Sequence, residues 1–136
     1  MDILYPLFVM VFWSFTMALF VLFSRISSVR NGAVTMEFYQ VFRGGEPPES
    51  VLKTTRHWAN LFEAPVLFYL LCVIMIALQT QSILLVQLAW GYVIIRCFHS
   101  IIHLTYNRVE HRLFLFLVSQ GVLIAMWVIL LLKVIN

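Results

Sequence analysis

Residues 55–78 read TRHWANLFEAPVLFYLLCVIMIAL, and the kind of chain follows from how that stretch is read. From Ala64 to Leu78 it is almost wholly apolar, and with its polar opening it is long enough to cross hydrocarbon as a helix, which takes about 20 residues. Yet Arg56, Asn60 and Glu63 stand in its first half. On insertion scales a charged side chain near the centre of a spanning helix costs roughly 2.5–3.5 kcal/mol, so ionisable groups at that depth point to a function by default.

The rest of the chain agrees with a membrane setting. Hydrophobic residues make up 62% and charged residues 11% of the 136 residues, against about 25% charged in a soluble domain. Mean hydropathy is +0.96. Such a length holds four spanning helices and one appreciable loop, so the expectation is an all-α integral membrane protein, a four-transmembrane-helix up-down bundle forming a single domain over 1–136. The expected helices are 4–23, 55–78, 83–106 and 113–135, with a loop at 24–54. Asp2 stands where a signal peptide would carry basic residues, and no small-residue cleavage site follows, so the first helix reads as retained. The short connections make sequential helices antiparallel.

Charge orients the bundle. Arg25, Arg30, Arg43 and Lys53 lie in or beside the first loop and Arg108 and Arg112 at the third, whereas the second loop has no basic residue. By the positive-inside rule those two loops are cytoplasmic and both termini lie on the non-cytoplasmic side. These basic residues also account for the net charge of +3, and no nucleic-acid signature or internal repeat is present. Compactness leans toward a bacterial inner membrane. Gly44-Gly45-Glu46-Pro47-Pro48 forbids a continuous helix across the first loop, while residues 33–42 have helical potential at the interface.

Helical spacing turns the polar residues into faces. At 100° per residue, Arg56, Asn60 and Glu63 fall within roughly 60° of one another, as do Arg96, His99 and His103 on the third helix. In antiparallel helices Glu63 and His99 then lie roughly 10–12 Å from the cytoplasmic ends, so the two faces meet at one depth. Ser100, Tyr106 and Asn107 extend the second face toward the cytoplasm. One reading is an interhelical polar network that fixes helix pairing, each contact worth about 0.6–2 kcal/mol. The other is a ligand site, favoured by the excess of arginine and histidine over the single carboxylate. Cys72 and Cys97 lack CxxC spacing and read as packing residues. His99 and His103 lack the glutamate of an HExxH motif and stand beside Arg96, so no metal is expected.

The run Arg56-His57-Trp58-Ala59-Asn60-Leu61-Phe62-Glu63, with Arg96-x-x-His99-x-x-x-His103 and the later Arg112, resembles the MAPEG superfamily, the membrane-associated proteins in eicosanoid and glutathione metabolism. The resemblance covers essentially the whole chain. It implies a homotrimer that binds glutathione as co-substrate near the cytoplasmic face, between neighbouring subunits. Carried onto this chain, it implies glutathione held by Arg56, Asn60, Glu63, Arg96, His99 and His103, with Arg112 as the catalytic arginine and Arg108 as its nearest substitute. His103 departs from the tyrosine usual at its position in the mammalian enzymes, and Trp58 and Ala59 are apolar where that pattern is more polar.

The residue chemistry suits such a ligand independently. Glutathione carries two carboxylates, an ammonium and a thiol. Arginines take carboxylates bidentately, Glu63 can take the ammonium, and a guanidinium near the sulfur raises the thiolate fraction. Phe12, Trp13, Phe15, Phe20, Phe114, Phe116 and Trp127 either line a groove for a hydrophobic small molecule or face lipid and neighbouring helices. Two functions stay open: a membrane glutathione transferase or peroxidase acting on a lipophilic electrophile or lipid hydroperoxide, and a non-catalytic lipid-binding or structural scaffold of the same fold.

Overall fold

The computed structural model describes residues 2–41, 48–106 and 108–135, with the side chains at 41, 50, 54, 56, 57 and 60–63 outside the described set. Four long helices carry the architecture: α1 (Leu4–Arg30), α3 (Glu49–Ala77), α4 (Ile83–Leu104) and α5 (Val109–Ile135), with a single turn, α2 (Phe38–Val41), between α1 and α3.

Three boundaries move from where hydropathy places them, each for a local reason. Helix α1 continues past residue 23 because residues 24–30 contain no proline or glycine, and Arg30 in the last turn complements the negative end of the helix dipole. It stops at Asn31, followed by Gly32 at φ +68°. The amides of Asn31, Gly32 and Ala33 return to the carbonyls of Ser27, Val29 and Ser28, a left-handed C-terminal cap that glycine adopts without steric cost. Helix α3 begins at Glu49 and not at 55. Pro48 precedes it with extended ψ, and Glu49 pairs with Lys53 one turn on, at 2.9 Å. Helix α5 begins at Val109 rather than 113, with Glu110 in its first turn. The first loop contracts accordingly, and of the interfacial helix expected over 33–42 only α2 forms; Phe42 and the Gly44–Pro47 run lie outside the described residues.

Among the described residues, α1, α4 and α5 are long and apolar enough to cross a membrane, whereas α3 contributes a shorter apolar stretch, Ala64–Ala77. This is an integral membrane protein. Helix α3 runs through Pro65, which is buried and withholds one amide from the carbonyl four residues upstream.

Packing is closest between α4 and α5 and between α1 and α3. The core gathers Met10, Phe68, Leu71, Met75, Leu85, Tyr92 and Met126. Phe68 of α3 stacks on Tyr92 of α4 with centroids 4.6 Å apart. Tyr69 bridges to α1 through Ser14 Oγ at 2.8 Å and the Met10 carbonyl at 3.3 Å. Outside, Phe8, Phe12, Phe15 and Phe114 are exposed, which in hydrocarbon carries no penalty.

Candidate functional site

The polar face of α4 is a buried feature of the bundle. Arg96, His99, Ser100 and His103 all lie at 2% exposure or less, although they occupy a helix of membrane-spanning length. Their spacing places them on one side of α4, and that side is turned inward. Ser100 Oγ donates to the Arg96 carbonyl at 2.9 Å and receives Nε1–H of Trp13 at 3.2 Å, so α1 is tied to the centre of the α4 face. The His99 and His103 rings meet edge to face at 6.1 Å, and Phe116 of α5 lies 6.3 Å from His99.

Early initiation of α5 brings Arg112 into the picture. It occupies the helix's first turns, its amide bonded to the Arg108 carbonyl at 3.1 Å, and it is half-buried. Arg96, His103 and Arg112 all lie within electrostatic reach of His99. Arg108 is exposed in the connection before α5. Three residues singled out by spacing, Arg96, His99 and His103, and Arg112, which the resemblance added, therefore share one neighbourhood at one end of the α4–α5 pair.

The remaining members of the sequence pattern fare differently. Arg56, Asn60 and Glu63 fall on α3, but their side chains lie outside the described residues. Helix register still fixes their level. If Phe68 stands opposite Tyr92, antiparallel helices rising 1.5 Å per residue bring position 60 level with 100 and position 63 level with 97. Tyr106 does not extend the face: α4 ends at Leu104, and the Tyr106 hydroxyl instead meets Nδ1 of His111 at 3.1 Å on the exterior. Asn107 lies outside the described residues.

Two contributors escape a reading by polarity. Tyr92, one turn before Arg96, is fully buried, and its hydroxyl has no hydrogen-bond partner among the described residues. Its 92–96–99–103 spacing was the available signal, hidden because tyrosine blends into an apolar run. Trp13, in the sequence one aromatic among many, is singled out by its bond to Ser100. Phe116 and Trp127 are half-buried, whereas Phe12, Phe15 and Phe114 point outward, and Phe20, itself exposed, lines a hollow with Phe23, Ser27 and Pro48 beside the C-terminal turns of α1.

A helical membrane protein with a buried arginine–histidine face at one end of its bundle is the class these features define. Residues 3–132 match the MAPEG family, and the chain belongs to that family. No curated protein and no solved structure matches it significantly.

Proposed function

We propose that the protein is a membrane-bound glutathione transferase or peroxidase acting on a lipophilic electrophile or lipid hydroperoxide. The observation that supports this reading best is the inward-turned Arg96–His99–His103 face with Arg112 beside it. A bundle that places so much cationic and hydrogen-bond-donating chemistry out of water gains most from an anionic ligand, and a tripeptide with two carboxylates supplies it.

In this reading α3 crosses the membrane as the fourth span, and its register brings Arg56, Asn60 and Glu63 to the level of the α4 face. Arg96 and Arg56 hold carboxylates, Glu63 the ammonium, and Asn60, His99 and His103 the peptide groups. Arg112 stabilises the thiolate, since a free thiol of pKa about 8.5 is mostly protonated at neutral pH. With an electrophile, sulfur forms the new bond to carbon as the leaving group departs with its electron pair. With a hydroperoxide, the thiolate takes the terminal oxygen, the alcohol leaves, and a second glutathione completes the disulfide and releases water. Three copies assemble around sites shared between subunits, with both termini on the non-cytoplasmic side.

Thermal shift of the detergent-purified protein with millimolar glutathione tests the reading. The wild type gains thermal stability and Arg96→Gln does not, because glutamine cannot offer a bidentate charged fork. A wild type indifferent to glutathione at saturating concentration would return the family fold to the scaffold reading.

A further inference from the structure

The other end of the bundle holds a feature that glutathione chemistry does not use. A cavity of about 920 Å³ opens where the N-termini of α1 and α4 meet the C-termini of α3 and α5. That volume lies within the range of small-molecule sites, about 300–1,000 Å³. Val86, on its wall, is ten residues from Arg96 along α4, or about 15 Å. It is therefore distinct from the buried cationic face.

Its lining has three tiers. Ile3, Met75 and Val86 form an apolar floor. Above them the turn 79–82 supplies two glutamines, a threonine and a serine. Gln79 in that turn holds φ +51°, a left-handed backbone normally left to glycine or asparagine at a helix C-terminus, yet the position keeps a side chain that lines the cavity. At the rim stand Asp2 and Lys133, of opposite charge, facing one cavity without forming a salt bridge to each other. Ile76 and Ile83, also on the wall, are 40% and 80% exposed, so the opening continues into apolar surface.

We propose that this cavity binds the head group of a zwitterionic phospholipid, its phosphate against Lys133 and its primary ammonium against Asp2. Separated opposite charges suit a ligand that carries both signs, and they suit neither a purely anionic nor a neutral one. The turn amides and hydroxyls serve the phosphoester and glycerol oxygens. The exposed isoleucines accept the start of the acyl chains, so the ligand lies where the bundle end meets the interface. Lys133 stands in the last turn of α5 and lines the cavity, and a lysine stem can lie along apolar surface while its ammonium reaches the head-group level.

Native mass spectrometry of the detergent-purified protein with equal amounts of phosphatidylethanolamine and phosphatidylglycerol tests this directly. Both lipids offer the phosphate, but only the first offers an ammonium. The wild type retains phosphatidylethanolamine about two- to fivefold over phosphatidylglycerol, the worth of one partly exposed ion pair. Asp2→Asn erases the preference, and Lys133→Gln lowers occupancy by both lipids. Both positions are exposed, so neither change threatens folding. Equal retention of the two lipids by the wild type, or variants that retain them as the wild type does, overturns the proposal. The glutathione thermal shift, read on the same variants, stays unchanged and keeps this test separate from that of the cationic face.

Discussion

Arg112 and Arg108 stand four residues apart, and the family resemblance points to Arg112 as the arginine that meets a thiol, with Arg108 as its nearest substitute. Burial separates them. Arg108 is exposed in the connection, where water screens its charge, whereas Arg112 is half-buried and within electrostatic reach of the buried His99. An arginine that stabilises a developing or resting thiolate in a low-dielectric setting acts like a preorganised oxyanion donor, whose removal costs about 10²–10³ in kcat. Arg112→Ala is therefore expected to lower turnover with a model electrophile by about that factor while glutathione still shifts the melting temperature, and Arg108→Ala to leave turnover within about twofold of wild type. Steady-state kinetics beside the thermal shift check it. The reverse ranking of the two variants would hand the role to Arg108.

At the level of elements, the faces were legible and the ends were not. Arg96, His99 and His103 could be placed on one side of a helix because a 3.6-residue period depends only on spacing, and the inward turn of that side follows from the cost of charge in hydrocarbon. The turn at 79–82 stood out because four polar residues interrupt two apolar runs. Helix termini escaped because hydropathy reports where hydrocarbon ends, while a helix continues into water until something stops it. Residues 24–30 are mostly polar but helix-compatible, so α1 reaches Arg30; Pro48 and Glu49 start α3 six residues before the expected position 55. Gly32 supplies the stop for α1 at φ +68°, with nothing within 4 Å of where a Cβ would sit. Gly32→Ala thus meets no clash and carries the backbone penalty alone, about 1 kcal/mol. Thermal unfolding in detergent should show a small loss of stability with glutathione binding retained; an unchanged melting temperature would mean that the α1 cap contributes nothing to the fold.

For the whole molecule, the question is what completes a site whose described half comes from α4 and α5. Within one chain α4 packs most closely on α5, and the exposed aromatics of α1 and α5 face outward, available to lipid or to another copy. A ligand with two carboxylates separated by a peptide needs anchors on both sides, and α3 presents its own polar positions at the same level by register. If neighbouring subunits share each site, binding depends on the assembly and not on the folded chain alone. Native mass spectrometry in a mild detergent should then find a species of three times the 15.9 kDa chain mass, and progressively harsher detergent should reduce the glutathione thermal shift in proportion to the trimer lost. Helicity followed by circular dichroism separates dissociation from unfolding. Monomers that keep their helices and still bind glutathione at wild-type affinity would show that Arg96, His99, His103 and the α3 residues of one chain suffice, and the shared site would be abandoned while the ligand stays.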